Sequence, residues 1–457
     1  MTAAPEASTR PRPATTGVAP GGLPLLGHAL RLRNSPLDFL ASLPAHGDLV
    51  EVRLGPRRAY LACHPEVVLQ VLHQARLFDK GGPLFDKLRL LTGNGLVSSP
   101  WEEHRRHRRL MQPAFRADRM DGYAALMSEE IESMLGSWRA GTALDVGEAL
   151  RSLTARITVR TLFSGQIDDR AVAEVQRLLP VFTEGLYRRM VAPLGWTDLL
   201  PTPENRRFTR ARVRMRAVIG RAVRDHLASG EDRGDLLSLL ADLTDEEIHD
   251  QVMTVLLGGT ETTASALGWA FHCLSANPEA ERRLHEEVDT VLGGRSPGLE
   301  DVPRLDFTRR VLTEVLRLYP PAWLLTRVTT GEAELVGRRL PPGTLVLFSP
   351  YSLGRDPASF PDPERFDPDR WLPERARSVP RGALVPFGAG SRKCIGDDFG
   401  LVEATLVVAA VAARLRLVPR PGTRVRPVPR AALATGPLPM TPVPRGPGGV
   451  RAEGAER

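Results

Sequence analysis

Phe387-Gly388-Ala389-Gly390-Ser391-Arg392-Lys393-Cys394-Ile395-Gly396 is the stretch on which the reading of this chain turns. A helix with apolar periodicity follows from Phe399, so Cys394 stands near a helix N-terminus. Backbone N–H groups and the helix dipole at such a place stabilise negative sulfur. Gly388 and Gly390 let the backbone pass close to a flat ligand. Arg392, just before the sulfur, is placed to pair with an acid group of that ligand, and a bound metal would deprotonate the thiol outright. A lone cysteine after a glycine turn is usually an inert structural thiol. The phenylalanine, glycines and arginine at fixed spacing around this one make a more specific pattern. A phosphate cradle is excluded, because Lys393-Cys394 does not supply the Gly-Lys-Ser/Thr of Walker A. No strand–Gly-x-Gly-x-x-Gly–helix unit with a downstream acid occurs either.

Composition narrows the classes. The 457 residues are 42% hydrophobic and 25% charged, ordinary for a folded protein. Lys and Arg number 61 against 54 acids, a net charge of +7. Lys80, Lys87 and Lys393 are the lysines, and the other cations are arginine. The cations are scattered among acids with no basic tail, which argues against nucleic acid. Cys63, Cys273 and Cys394 make no disulfide framework and suit a reducing cytoplasm. The longest apolar run near either end, Leu406 to Ala413, is far short of the ~20 residues that span a bilayer. No membrane partner and no signal peptide are expected.

Residues 1–22 and 442–457, rich in Pro, Gly and Arg, read as a disordered leader and tail around one domain over 23–441. Alternation at Leu49 to Leu54 and at Glu334 to Leu347 predicts strands of a small sheet. Thr244 and Glu247 form a capping box ahead of Ile248, Val252, Val255, Leu256, Ala266, Leu267 and Ala270. Further helices are expected from Asn277-Pro278 to Gly293-Gly294, and from Thr308 to Tyr319 before Pro320-Pro321. The fold class is mainly α with minor β.

At the cysteine stretch the sequence resembles the cytochrome P450 family of haem-thiolate monooxygenases, in which this cysteine is the axial iron ligand. The resemblance implies that family's fold, a large helical domain with a small β-rich region. It also implies haem b held by Cys394, with Phe387, Gly388, Arg392 and Gly396 around it. Other motifs follow in the family's order. Gly258-Gly259-Thr260-Glu261-Thr262-Thr263 lies inside the long helix, where two glycines cost roughly 1 kcal/mol each relative to alanine. Thr262 is able to back-bond there, and the family uses the Glu261–Thr262 pair for proton delivery. Glu314 and Arg317 lie three apart on the following helix, and by resemblance join Arg365 of Pro363-Glu364-Arg365-Phe366 in a buried structural triad. His104 and Arg108, four apart on one helix face within Trp101 to Phe115, match the pair that contacts haem propionates. Arg327, ahead of a strand, matches a further propionate partner.

The implied activity is insertion of one oxygen atom from O2 into an unactivated carbon, the push of the thiolate favouring O–O cleavage. No flavin or iron–sulfur module is fused to the chain, so electrons are expected from a ferredoxin and its NAD(P)H-dependent reductase. Lys393 and some of Arg105, Arg106 and Arg109 would form the basic surface that such an acidic partner meets. By family position the substrate pocket is lined by Phe85, Leu88 and Leu91, by Phe182 and Leu186, by Leu256, and by Ala322, Trp323 and Leu324. These are apolar, without a charged clamp, which suits an apolar small molecule. The stretch Gly185 to Gly195, Val328 and Trp371 to Ala376 resemble the pentalenene-type sesquiterpene oxidases of actinomycetes. Oxidation of a cyclic sesquiterpene in antibiotic biosynthesis, by a cytoplasmic monomer, is the favoured expectation. Fatty-acid or macrolide hydroxylation is the alternative within the family. A terpene cyclase would need an aspartate cluster for Mg2+, and neither Asp168-Asp169 nor Asp397-Asp398 completes one. A haem sensor or electron carrier would not need the Glu261–Thr262 pair.

Overall fold

The computed structural model describes residues 14–163, 167–191, 200–228 and 236–445. The leader before residue 14, the tail from residue 446 and residues 192–195 of the Gly185 to Gly195 stretch lie outside them. The helices in chain order are α1 (Ala29–Asn34), α2 (Pro36–Ser42), α3 (Pro65–His73), α4 (Pro83–Thr92), α5 (Trp101–Met111), α6 (Met120–Ser137), α7 (Val146–Leu162) and α8 (Asp169–Val191). They continue with α9 (Pro203–Ala228), α10 (Leu236–Leu239), α11 (Asp245–Ala276), α12 (Pro278–Leu292), α13 (Asp306–Leu318), α14 (Pro350–Leu353), α15 (Pro373–Ala376) and α16 (Asp397–Arg414). The strands are β1 (Thr16–Val18), β2 (Leu49–Leu54), β3 (Arg57–Ala62), β4 (Phe78–Asp79), β5 (Leu144–Asp145), β6 (Leu325–Thr329) and β7 (Ala333–Leu335). After them come β8 (Arg338–Leu340), β9 (Leu345–Phe348), β10 (Leu415–Pro419), β11 (Val428–Pro429), β12 (Leu433–Ala434) and β13 (Pro439–Pro444).

Helix α11 runs unbroken through the body of the protein and begins as its capping box dictates. The Thr244 hydroxyl accepts from the Glu247 N–H at 3.3 Å, and the Glu247 carboxylate accepts from the Thr244 N–H at 3.1 Å. One side of α11 packs on α7, and α6, α12, α13 and α16 complete the layer. Trp269 of α11 stacks on Tyr319 at 3.7 Å and donates its indole N–H to the Leu433 carbonyl at 2.7 Å, fastening β12 to the helices. This apolar burial supplies most of the drive for folding. α12 ends where glycine was expected to end it, with Gly293 at φ 58°.

The main sheet has the order β1-β2-β3-β9-β6-β4. Its last pairing sets Asp79 opposite Val328, which brings β4 beside the strand carrying Arg327. Both expected domain boundaries move outward. Thr16–Val18, assigned to the leader, pairs in parallel with Leu49–Glu51, and the Thr15 N–H donates to the Asp48 carboxylate at 2.7 Å. Pro442–Pro444, assigned to the tail, pairs with Leu415–Leu417. Composition alone marked these residues as disordered, but backbone hydrogen bonding to an existing strand needs no apolar side chains. Between β1 and α1, Leu23 and Gly27 exchange backbone hydrogen bonds at 2.9 and 2.8 Å, and the loop they close holds Leu25 at φ 62° with 93% of its surface exposed.

Candidate active site

Cys394 lies between a short turn, Gly390–Arg392, and the first residue of α16. Its N–H donates to the Phe387 carbonyl at 2.8 Å, and the Gly396 N–H points at its sulfur. Burial pushes the thiol pKa up and the Asp397 carboxylate adds to this, while the Gly396 N–H, Arg108 and Lys80 oppose it. Cys63 and Cys273 are buried, whereas Cys394 is exposed to one side. Gly388 and Gly390 both take positive φ, 70° and 66°. At Gly390 the reason differs from the one expected: a Cβ there would stand 2.7 Å from the Leu72 carbonyl, so α3 requires this glycine. A Cβ on Gly396 would stand 3.5 Å from the Phe115 ring.

Facing this loop is a concentration of buried cations. Arg392 donates to the Ser99 carbonyl at 2.8 Å and pairs with Asp79. Asp79 also accepts from the N–H groups of Lys80 at 2.7 Å and Trp101 at 2.8 Å, so one carboxylate ties β4 to the start of α5. Arg327 donates to the Thr326 carbonyl at 2.7 Å and sits over the Phe348 ring. Burial, then the nearby arginines, pushes Lys80 well down, and burial with Arg392 takes Arg327 to about 10. His104 is held neutral, its pKa down to about 2, by burial and then by Arg392, Lys80 and Arg108. Its Nδ1 and the Nε of Arg392 are buried without a hydrogen-bond partner. Arg108 donates to the Lys393 carbonyl, next to Cys394. His104, Arg108, Arg327 and Arg392 are thus brought together, as the sequence reading requires. Lys80 and Asp79 are not part of that reading; the only signal was an Asp-Lys pair in an unremarkable loop.

Several cations around one carboxylate call for further negative charge, because buried charges persist when paired. A group carrying two carboxylates beside a thiolate ligand meets that need. Haem b is such a group, and the orphaned His104 and Arg392 nitrogens are donors for it.

On α11 the Thr262 hydroxyl donates to the Gly258 carbonyl at 2.5 Å. Glu261 lies against α8, accepting weakly from the Thr183 hydroxyl at 3.4 Å, and burial raises its pKa. A Cβ on Gly259 would meet Thr158 of α7 at 2.9 Å, so helix packing accounts for this glycine, while Gly258 faces open space.

Glu314 and Arg317 are fully buried and doubly bonded, at 2.8 and 2.7 Å. The third member of the group is Arg370, not the expected Arg365. Arg370 is buried, with its Nε 3.4 Å from the Glu314 carboxylate, and Trp371 donates to Glu314 at 2.9 Å. Arg365 is exposed and offers only its carbonyl to Arg317 at 3.1 Å. The chain turns between the two arginines, and two Pro-x-Arg-aromatic repeats in succession hid which one turns inward.

The expected pocket residues divide. Leu91, Phe182, Leu186 and Leu256 are buried in one cluster, with Leu88 partly buried beside it. Phe85 is buried under the Lys80 ammonium. Trp323 and Leu324 belong to another cluster with the sheet, where the Trp323 indole donates to the Arg430 carbonyl at 2.9 Å, and Ala322 is half-buried. Trp323 is therefore a packing residue. Of the basic surface, Arg105 and Arg109 are exposed, Arg106 is paired with Glu247, and Lys393 with Asp397. No group of three or more His, Cys, Asp or Glu placed to hold a metal ion occurs among the described residues.

Fold and site together are those of a haem-thiolate protein. The family model Cytochrome P450 matches residues 18–442, and the chain belongs to that family. It is an oxidoreductase and a monooxygenase that binds haem. A cyclooctatin synthase of Streptomyces melanosporofaciens is 57% identical, over 89% of this chain and 91% of that one. A cyclooctat-9-en-7-ol 5-monooxygenase of the same organism is 52% identical, over 93% and 94%. A pentalenene oxygenase of Streptomyces avermitilis is 44% identical, over 89% and 92%. Among solved structures, a cytochrome P450DA heme domain superposes with a TM-score of 0.85 at 25% identity, covering 95% of this chain and 99% of that one.

Proposed function

We propose that the protein oxidises a compact cyclic terpene, or an alcohol already formed from one, with Cys394 as the residue whose sulfur would hold the haem iron. Bound through a thiolate, haem supplies activation of O2 for insertion of one oxygen atom into a C–H bond. The chain's own residues hold and surround it. Lys80, Arg327 and Arg392 would neutralise its two carboxylates, with Asp79 fixing Arg392, and His104 and Arg108 would donate at the edge. Glu261, whose pKa burial raises, passes a proton by way of the Thr262 hydroxyl. The observation that carries the substrate class is the agreement of three relatives between 44% and 57% identity, whose names include a cyclic alkenol and pentalenene. The apolar cluster of Leu91, Phe182, Leu186 and Leu256 suits such a ligand. A sesquiterpene is one member of this class. Electrons come from a separate ferredoxin and its reductase, the exposed Arg105 and Arg109 meeting the acidic partner.

A spectral titration of the purified haem protein tests the substrate class. Cyclic terpenes and terpene alcohols shift the haem Soret band at micromolar concentration, whereas fatty acids and macrolide cores do not. A shift with fatty acids alone overturns the reading.

A further inference from the structure

Helix α9 carries a face that the site does not use. Its buried side is Phe208, Ala211, Met215, Val218 and Ile219, packed in the cluster it shares with α8. Opposite them Arg206, Arg210, Val213, Ala217, Arg221 and Arg224 recur at three- and four-residue spacing and so share one stripe, in which all but Ala217 are Arg or Val. All six are exposed, as are Arg207, Arg212 and Arg216 beside the stripe.

This is not an ordinary solvated face. Among the described residues Arg214 pairs with Glu174, whose carboxylate Arg221 also attracts from farther away, and the other arginines of α9 have no ion pair within 4 Å. Arg206 and Arg210, Arg210 and Arg214, and Arg212 and Arg216 are like charges four apart, which weakens a helix. α12 shows the usual remedy, with Arg282 between Glu279 and Glu286 and paired to both. In the middle of the α9 stripe Val213 is 63% exposed, and Leu200, just ahead of the helix, is 42% exposed. The helix is about 39 Å long at 1.5 Å per residue.

A long, predominantly positive face, whose acids Glu174 and Asp225 offset only part of its charge, with an apolar side chain at its centre, fits an extended negative surface that also admits hydrocarbon. We propose that α9 lies along an anionic lipid surface, its arginines on the phosphates and Val213 at the acyl boundary. Nucleic acid would find no exposed aromatic ring on this helix to stack on, since Phe208 is buried. No helix among the described residues is long and apolar enough to cross a membrane, and lying on one requires none. The proposal stands whatever the substrate, although an apolar substrate dissolves in the same phase.

The test is co-sedimentation of the full-length haem protein with vesicles of phosphatidylcholine alone or mixed with phosphatidylglycerol. The protein should sediment with the mixed vesicles only, and less as salt rises. Replacing Arg206, Arg210, Arg221 and Arg224 together by Gln should weaken partitioning at least about a hundredfold. The thermal midpoint should hold or rise, because like-charge contacts are removed. Val213→Ser should weaken vesicle binding severalfold without changing binding to heparin. A wild-type protein left in the supernatant with mixed vesicles overturns the proposal, as does a quadruple variant that sediments normally. Unaltered vesicle binding by Val213→Ser reduces the face to a general polyanion site and also overturns it. Displacement from vesicles by an equimolar acidic ferredoxin would assign the face to a protein instead.

Discussion

Glu403, on the face of α16 turned to the core, has no accessible surface, and neither carboxylate oxygen has a hydrogen-bond partner. Burial raises its pKa well above the ordinary carboxylate value. A group raised in this way is neutral in the folded protein and ionised in the unfolded one. Its folded form is therefore favoured below the unfolded pKa, and that advantage is lost as pH rises. Glu403→Leu should raise the melting temperature at pH 8 by several degrees, worth about 1–3 kcal/mol, and the gain should shrink toward pH 4. Thermal melts at the two pH values decide it. Thr262 concerns chemistry rather than stability. Thr262→Ala removes the hydroxyl that stands next to Glu261, so NAD(P)H oxidation should continue while product falls about tenfold or more and hydrogen peroxide is released. Product yield per NAD(P)H measures it, and unchanged coupling would refute the proton path. Among single residues, chemically distinctive ones were legible. Cys394 and Thr262 stood out because their neighbours repeat a known pattern. Lys80 and Glu403 escaped because nothing local distinguishes a buried charge from a solvated one.

At the scale of elements, caps and breakers were read well, because they act over a few residues. The Thr244–Glu247 box starts α11, and Gly293 ends α12. Contacts between elements were not readable in the same way. Asp79 reaches Arg392 across most of the chain length, and the Arg365/Arg370 choice depends on a turn between them. That choice has a measurable consequence. Arg370→Ala leaves the buried Glu314 short of a partner and should destabilise the protein by about 3 kcal/mol or more, with poor haem incorporation. Arg365→Ala, at an exposed side chain, should change stability by less than about 0.5 kcal/mol. Chemical denaturation of the two variants distinguishes Arg370 from Arg365 as the third member.

For the molecule as a whole, the helical core and the sheet meet where the buried cations are. The fold class was legible because α11, α12 and α13 are long and strongly patterned. The edges of the domain were not, since β1 and β13 are recruited by strands already in place. The charge imbalance around Asp79 predicts a stability that depends on the bound group. Stripping the haem should lower the melting temperature by on the order of 10 °C, and phosphate or sulfate should restore part of the loss. Scanning calorimetry of stripped and reloaded protein checks this; equal midpoints would show that the cations need no counter-charge.

The short β1–β2 pairing also bears on solubility. A polypeptide shortened to begin at Leu23 would lose Thr16–Val18 and bare the outer edge of β2. Unpaired edges recruit other chains, so such a fragment should form higher-order aggregates on gel filtration, and one beginning at Ala14 should not.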